Sequence, residues 1–378
     1  MKIGIDARIF IHDSFGGIAR SVYNVLQIWK KNNTDDEFYL FSFKPICFDI
    51  SDYPDNWHLI IKEAPINTGA VWSRMILPGL LINNGIQAYW GTNYTLPPKL
   101  SSIRMVLTIY DLAIMHFKGI GKVKTELSLK LFGKANCIKA DSIIAISMAT
   151  KEDITRIWNI SPDKIIVSYC GGPQKIDKDV VLASSSKNNE HVIPELGEYF
   201  LFIGTIEPRK NIVSIIRAFE EFCDNTCKNM KLVLCGKRGW YCESVYEAIE
   251  HSKYKSKIVV LGYINDSTKE QLLKNAKAFV YPSLYEGFGI PILEAMEYNL
   301  PVITCRVSSL PEVAGDAAFY IDNPKDIKQL ANIMNDVLEL DQQGRELLIN
   351  RMNKQRSKFS WEKNASEILD VIHGETVK

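Results

Sequence analysis

The sequence predicts an α/β protein with two doubly wound parallel sheets. Three observations lead to this fold class. Short apolar runs rich in Val and Ile recur along the chain without polar–apolar alternation, as in strands covered on both faces. Many of these runs are followed by a helical pattern, which indicates helices between parallel strands. The 378 residues correspond to two domains at roughly 150 residues per domain.

The apolar runs fall into two sets, each of which we assign to one sheet. The first set predicts strands over 2–6, 105–111, 142–147 and 164–169, and the second over 200–205, 231–236, 257–263, 277–283 and 301–306. Between the sets, 171–197 holds GGP and the polar run SSSKNNE, which is typical of a linker with irregular loops. We therefore predict an N-terminal domain over 1–175, a linker region over 176–197 and a C-terminal domain over 198–359. A final helix over 360–378 fits either domain by its periodicity.

Composition and charge exclude several classes of protein. Lys plus Arg total 45 and Asp plus Glu total 44, so the chain lacks the basic excess that nucleic-acid binding needs. The longest run without these charged residues, 75–98, is broken by prolines and asparagines and does not predict a membrane span. Asp6 and Arg8 interrupt the apolar start that a signal peptide needs, so we expect a cytoplasmic protein. The eight cysteines form no C-x2-C pair, which favours reduced thiols over a metal site.

The segment KIGIDARIFIHDSFGGIARSVYNV places paired glycines, Gly16 and Gly17, between the first strand and an amphipathic helix. Glycines at a helix N-terminus let a ligand approach backbone N–H groups, and the helix dipole favours an anion there. The spacing differs from G-x-G-x-x-G, so the dinucleotide fingerprint is absent. A phosphate-binding loop and an ordinary tight turn both stay open as interpretations.

The segment YPSLYEGFGIPILEAMEYNLPVI carries two carboxylates around a glycine-rich helix start. Glu286 precedes the predicted helix, and Glu294 falls about one turn inside it, with Pro291 in a first turn that tolerates proline. One carboxylate can reach sugar hydroxyls while N–H groups at the helix start hold a phosphate. The alternative is a capping or surface Glu286 and a solvated Glu294.

The segment FLFIGTIEPRKN places Arg209 and Lys210 on the loop after a predicted strand. The carboxyl edge of an open α/β sheet is where such sheets bind ligands, and two cations there would neutralise a diphosphate leaving group. The alternative is a solvated surface pair.

Together these segments resemble the retaining nucleotide-sugar glycosyltransferases of family 4. EGFGIPILE is similar to the E-x7-E motif of that family and GTIEPRKN to its basic loop. FGGIARSVYNV, ISMATKEDI, SSLPEVAGDAA and the closing FSW are similar as well, so the resemblance covers nearly the whole chain. It implies the GT-B architecture, in which two Rossmann-like domains face a cleft and the final helix crosses back onto the first. It also implies transfer with retention of the anomeric configuration and without a metal or other cofactor.

Carried over residue by residue, the resemblance implies a donor site. Glu294 resembles the glutamate that binds the ribose, Glu286 the glutamate near the donor sugar, and Lys210 the diphosphate lysine. Many members carry an arginine where this chain has Thr205, and Arg209 would supply that charge. The other implied donor-binding residues, with the paired glycines of the first motif, are Gly16, Gly17, Gly236, Lys237, Tyr263, Ile264, Gly287, Phe288, Gly289 and Ile290.

Asp111 is a further catalytic candidate, with one departure from the family beside it. Related sequences commonly have histidine before this aspartate, whereas this chain has Tyr110 in TIYDLAIMHF. Tyrosine donates a hydrogen bond but is a poor base near neutral pH, so the resemblance carries no general base to this position. We interpret the nearby His116 as a structural histidine, with an acid–base role as the alternative.

The leading hypothesis is hexosyl transfer from a nucleoside-diphosphate sugar to a saccharide or lipid-linked acceptor, as in the biosynthesis of a cell-surface polysaccharide. EPRKN resembles mannosyltransferases, which makes GDP-mannose the first donor to test. Attack from the leaving-group side and a covalent route through Glu286 both stay open. The alternatives are a nucleotide-sugar epimerase of the same fold, which needs no acceptor, and a non-catalytic two-domain sugar-binding protein.

The stretch 117–139 is locally basic, with six lysines against one acidic residue. Leu127, Leu131, Ala135 and Ile138 share one face of a predicted helix. Such a helix can lie on an anionic membrane, which would make the protein peripheral. The alternative is a solvated helix whose apolar face packs on the first domain.

Overall fold

A computed structural model describes residues 1–11, 16–32, 34–63, 68–117, 123–174 and 195–375, with the backbone alone at 123–128. Most of the predicted linker region, 176–194, therefore lies outside the described residues. The contacts of the chain form two compact units. Unit 1 comprises Met1–Leu112, Leu127–Asn188 and Phe359–Lys378, and unit 2 comprises Ala113–Glu126 and Asn189–Lys358.

The sheet of unit 1 has seven strands, all paired in parallel, in the order β3-β2-β1-β4-β5-β6-β7. The strands are β1 (Lys2–Asp6), β2 (Glu37–Ser42), β3 (Trp57–Ile61), β4 (Ala88–Gly91), β5 (Arg104–Ile109), β6 (Ser142–Ala145) and β7 (Ile165–Val167). The order reverses between β1 and β4, so the carboxyl ends of these strands form the crevice of a doubly wound sheet.

Helices alternate with these strands. They are α1 (Gly17–Asn32), α2 (Gly69–Met75), α3 (Leu77–Asn83), α4 (Ala113–His116), α5 (Val123–Lys139) and α6 (Met148–Trp158). In α1 the predicted apolar face is buried at Val22, Val25, Leu26 and Trp29. The chain leaves unit 1 after Leu112, so α4 and the start of α5 belong to unit 2.

The sheet of unit 2 has six parallel strands in the order β10-β9-β8-β11-β12-β13. They are β8 (Glu198–Ile203), β9 (Met230–Cys235), β10 (Ile258–Gly262), β11 (Ala278–Val280), β12 (Val302–Cys305) and β13 (Phe319–Ile321). The helices are α7 (Ile212–Asn225), α8 (Glu243–Glu250), α9 (Asp266–Asn275), α10 (Ile290–Glu297), α11 (Leu310–Ala314), α12 (Ile327–Leu338) and α13 (Gln342–Arg356). Here the order reverses between β8 and β11, which places their carboxyl ends side by side.

The last helix, α14 (Trp361–His373), belongs to unit 1. The indole Nε1 of Trp29 donates to the carbonyl of Ala365 at 2.9 Å, and Arg104 Nε donates to the carbonyl of Val371 at 3.1 Å. The hydroxyl of Ser360 caps the helix by accepting from the N–H of Lys363 at 3.3 Å. Packing against α1 therefore decides which unit receives a helix that periodicity alone left open.

The predicted fold class is confirmed, and each of the nine predicted apolar runs overlaps a strand. Four further strands, β2, β3, β4 and β13, were not predicted. The strands β2 (EFYLFS) and β4 (AYWG) are rich in aromatic residues, β13 (FYI) has three residues, and β3 (WHLII) has only three consecutive aliphatic residues, so the aliphatic signal is weak in all four. Among the described residues, no helix is long and apolar enough to span a bilayer.

Candidate functional site

The carboxyl edge of the unit 2 sheet brings the two strongest motifs together. Arg209 and Lys210 lie in a 3-10 turn after β8, and Glu286 lies on the loop between β11 and α10. Because β8 and β11 are neighbours, these loops run next to each other, and the N–H of Leu284 donates to the Arg209 carbonyl at 2.8 Å. Residues that are 76 positions apart in sequence thus form one cluster.

Glu286 forms ion pairs with both cations of the cluster. Lys210 Nζ donates to its Oε1 at 2.6 Å and Arg209 Nη1 donates to its Oε2 at 3.0 Å, with only 7% of Glu286 exposed. Burial alone would raise the pKa of the Glu286 carboxyl, but the charges of Lys210 and Arg209 outweigh burial and hold this pKa at about 2. Glu286 is therefore a carboxylate at any physiological pH, with one cation on each oxygen.

Two partners of these cations were missed by sequence reasoning. Glu207 Oε1 accepts from Arg209 Nε at 3.0 Å and from Nη2 at 2.7 Å, and the hydroxyl of Tyr281 accepts from Lys210 Nζ at 2.6 Å. Burial lowers the pKa of the Lys210 amine, while the charge of Glu286 opposes that shift. Glu207 stands within the quoted EPRKN, but a carboxylate two residues before an arginine carries no signal without the fold.

The predicted helix start over 287–290 is built by glycine and two serines. Gly289 has φ 121°, a conformation that L side chains rarely adopt, and α10 begins at Ile290. The hydroxyl of Ser308 accepts from the Glu286 N–H at 2.8 Å, and that of Ser309 donates to the carbonyls of Glu286 at 2.9 Å and Phe288 at 2.6 Å. The loop from Glu286 to the helix is therefore held rigidly beside the two cations.

Glu294 lies on α10, half-buried, and accepts from Lys269 Nζ of α9 at 2.7 Å. This lysine was not predicted, because it lies on a different helix 25 residues away. The ion pair fixes the carboxylate through Oε1.

The loops after β9 and β10 complete the same edge. The N–H of Gly236 donates to the carbonyl of Gly262 at 2.7 Å, and a Cβ at Gly236 would lie 1.8 Å from the Gly204 carbonyl oxygen. Lys237 Nζ lies 4.6 Å from the ring centroid of Tyr263, a side chain that is 58% exposed. Ile264, the next residue along the chain, is buried. The candidates of unit 2 thus follow four neighbouring strands, β8 to β11.

The candidates of unit 1 form a separate set. Gly16 and Gly17 are exposed at the start of α1, and residues 12–15 before them lie outside the described residues. The N–H of Asp111 donates to the hydroxyl of Tyr94 at 3.0 Å. Tyr110 is buried, and burial raises the pKa of its hydroxyl well above the usual value, so it stays protonated.

His116 lies on α4 of unit 2 and packs against an aromatic ring of the same unit. It is exposed, and its ring lies 4.6 Å from that of Tyr285, centroid to centroid. Tyr285 directly precedes Glu286, and its carbonyl accepts from Arg209 Nη1 at 2.8 Å. The helix α4 therefore contacts the loop that carries the cluster.

The described cysteines and carboxylates do not suggest a metal centre. In the described part of the chain, no group of three or more His, Cys, Asp or Glu side chains is placed to hold a metal ion. All eight cysteines are thiols, and burial raises the pKa of Cys235 and of Cys305 to about 12.

Comparison with known proteins identifies the family. Residues 184–356 match the family model described as glycosyl transferases group 1. The O-antigen chain mannosyltransferase B of Escherichia coli is 31% identical over 290 residues, which cover 75% of this chain and 73% of that protein. This chain belongs to the group 1 glycosyltransferases.

Two further matches, one in sequence and one in fold, agree with this assignment. The serotype-specific mannosyltransferase WbdA of Escherichia coli is 31% identical over 234 residues, which are 60% of this glycosyltransferase but 28% of WbdA, a much longer chain. Sucrose-phosphate synthase from Thermosynechococcus elongatus superposes with a TM-score of 0.72 at 17% identity, covering 99% of this chain and 98% of the other. At that identity the likeness concerns the fold, and it agrees with the two parallel sheets.

Proposed function

We propose that this glycosyltransferase is a retaining enzyme of family 4 that transfers a hexose from a nucleoside-diphosphate sugar to a saccharide or lipid-linked acceptor in polysaccharide biosynthesis. The cluster of Arg209, Lys210 and Glu286 beside the start of α10 carries the proposal. Mannose is the proposed hexose and GDP-mannose the donor, because two relatives are named mannosyltransferases.

The chemical step depends on the charge that develops on the diphosphate. As the bond between the sugar C1 and the phosphate oxygen breaks, Arg209 and Lys210 stabilise the departing charge from fixed positions. The acceptor hydroxyl forms the new bond to C1 on the same face, and its proton passes to a phosphate oxygen. No metal is required in this scheme, because cationic side chains of the protein neutralise the charge of the diphosphate.

The environment of Glu286 favours this front-side route over a covalent one. Both of its oxygens accept from cations, at 2.6 and 3.0 Å, which lowers its nucleophilicity. We assign to Glu286 the role of orienting the two cations next to the donor sugar. Asp111 remains a proposed catalytic residue of unit 1.

The other residues of the edge form the proposed donor site. Glu294, held by Lys269, accepts from the ribose hydroxyls. N–H groups over 287–290 contact the sugar and phosphate, and the loops after β9 and β10 contact the nucleotide. Gly16 and Gly17 remain proposed donor-binding residues of unit 1.

Product analysis tests the proposal. The protein is incubated with GDP-mannose, UDP-glucose and other donors, without and with saccharide and lipid-linked acceptors, in EDTA and in Mg²⁺ or Mn²⁺. We expect an α-linked product from GDP-mannose only when acceptor is present, and in EDTA as well. Donor isomerisation without acceptor would support an epimerase, and binding without turnover a sugar-binding protein. Activity that EDTA abolishes and Mg²⁺ or Mn²⁺ restores would overturn metal independence.

We also propose that α5 contacts the inner face of an anionic membrane. This contact would bring the enzyme close to a lipid-linked acceptor. Leu131 and Ile138, seven residues apart on one face, are 60% and 59% exposed, whereas Asn136 and Cys137 are buried. That face is therefore not packed on unit 1 at these positions, and Lys130 beside it is exposed too. Lys118 and Lys122, also part of the basic stretch, lie outside the described residues.

Co-sedimentation with vesicles tests the membrane contact. We expect binding to anionic but not neutral vesicles at low salt, weakened in a Lys130/Lys134→Gln variant and in a Leu131/Ile138→Ser variant. Lys325/Lys328→Gln, which removes the same charge from exposed positions in unit 2, is the matched control. Equal and negligible sedimentation of all variants would remove the membrane from the proposal.

A further inference from the structure

Glu207 is a buried carboxylate to which the proposed function gives no task. Its Oε1 accepts from two nitrogens of Arg209, at 3.0 and 2.7 Å, and 7% of the residue is exposed. Glu286 binds the same guanidinium through Nη1. Arg209 is thus shared between two carboxylates, of which only Glu286 was given a role from the sequence.

The backbone around Glu207 is fixed by the loop after β9. The N–H of Ile206 donates to the Lys237 carbonyl and that of Gly239 to the Ile206 carbonyl, both at 2.9 Å. A Cβ at Gly239 would lie 3.1 Å from the Cβ of Glu207 and 2.7 Å from Thr205 Cγ2, so the two loops are in close contact. Glu207 is therefore held in place from outside its own turn, as expected of a residue that orients another.

The charges of the cluster balance when Glu207 is included. Arg209 and Lys210 contribute two positive charges, and Glu207 and Glu286 contribute two negative ones. Without Glu207 the cluster would carry one net positive charge in a poorly solvated site, where a charge acts strongly on a bound anion. Glu207 therefore weakens the attraction for a diphosphate while it orients the arginine that stabilises the transition state.

We propose that Glu207 is a positioning residue with two effects, the orientation of Arg209 and the limitation of diphosphate affinity so that the product nucleotide is released. This inference rests on the proposed function, since it assumes that a nucleoside diphosphate binds at the cluster. It predicts that removal of a carboxylate from the site tightens product binding and slows transfer. A purely structural role would weaken both.

Two substitutions separate the two effects. Glu207→Gln removes the charge and keeps an oxygen that accepts a hydrogen bond, whereas Glu207→Asp keeps the charge and shortens the side chain. Glu221→Gln on α7, whose side chain accepts from Asn225 at 3.2 Å, makes the same charge change away from the cluster and is the matched control. Calorimetry with GDP and with UDP measures product affinity, and steady-state kinetics with GDP-mannose and acceptor measures turnover. Thermal unfolding monitors the fold.

We expect Glu207→Gln to bind the preferred nucleotide about fivefold more tightly and to turn over about tenfold more slowly. Glu207→Asp should bind within about twofold of the parent but also turn over more slowly, because the charge remains and the reach to Arg209 is lost. Glu221→Gln should match the parent in both. Unchanged or weaker nucleotide binding by Glu207→Gln would overturn the inference while leaving the proposed function intact. A parent protein that binds neither GDP nor UDP would defeat the proposed function and this inference with it.

Discussion

Two arginines, one at the carboxyl edge of each sheet, form buried ion pairs with different sets of partners. In unit 1, Arg8 follows β1 and donates to Asp6 through Nε at 2.8 Å and to the Gly69 carbonyl and Thr95 Oγ1, both at 2.8 Å. It connects three segments of one unit. Burial opposes its charge, but Asp6 outweighs burial and raises the pKa of Arg8 above its usual value.

Arg209 in unit 2 has a different set of partners. It donates to two carboxylates, Glu207 and Glu286, and Glu286 also binds Lys210. Apart from Asp6, the partners of Arg8 named above are neutral oxygens, whereas those of Arg209 include a second carboxylate that is shared with another cation. The comparison teaches that burial alone does not show whether an arginine stabilises the fold or belongs to a ligand-binding site. The charged groups around the carboxylate that pairs with the arginine distinguish these two roles.

The largest expected effect concerns Arg8. We expect Arg8→Ala to lower the free energy of unfolding by about 3–5 kcal/mol, because Asp6 would remain as an unpaired buried charge. Urea denaturation measures the loss. Arg217→Ala, which breaks the more exposed ion pair with Glu220, is the control and should cost less than about 1 kcal/mol. A stable Arg8→Ala variant that no longer binds donor would break the comparison, because Arg8 would then act in a site.

The next effect concerns the cations of unit 2. We expect Lys210→Ala to lower turnover by about 10²–10³, equivalent to about 2.7–4 kcal/mol, and to weaken donor binding much less, because the charge develops mainly in the transition state. Arg209→Ala should act in the same direction. Steady-state kinetics and donor titration measure the two quantities. The control is Lys255→Ala, whose pair with Glu250 is exposed, and normal turnover of Lys210→Ala would contradict the assignment.

A smaller effect should appear in acid. The pKa of Glu286 is about 2 in the folded protein, below the value near 4.5 that an ordinary glutamate has. A depressed pKa contributes stability above the ordinary value, and this contribution is lost as pH falls from about 4.5 towards 2. It amounts to about 3 kcal/mol. Chemical denaturation at several pH values should show this slope in the parent and a flatter one in Glu286→Gln; equal slopes would contradict it.

The smallest effect concerns Glu294. Glu294→Gln should weaken donor binding by about 1.5–3 kcal/mol with the fold intact, because an amide cannot accept two ribose hydrogen bonds as a carboxylate can. Calorimetry measures the loss. Lys269→Met, which removes the partner of Glu294 and keeps its carboxylate, should have a smaller effect. Unchanged donor affinity in a folded Glu294→Gln variant would remove this residue from the site.

Sequence patterns predicted the nine aliphatic strands because their side chains report burial on both faces. They did not predict β2, β3, β4 or β13, where aromatic residues or a short aliphatic run weaken that signal. For α5, the shared face of Leu131 and Ile138 was recognised, but the pattern could not say whether it is buried. A periodic face describes one helix, whereas burial depends on its neighbours.

The sequence by itself predicted which side chains to expect at the site, because Arg209, Lys210 and Glu286 stand in loops that follow recognisable strands. Only the tertiary structure decided that these residues bind one another, that Glu207 and Tyr281 join them, and that Lys269 pairs with Glu294. The physical reason is the order of the strands. Local patterns report whether a strand is buried, but the pairing of β8 with β11 depends on contacts between distant residues, and that pairing places the carboxylate between the two cations.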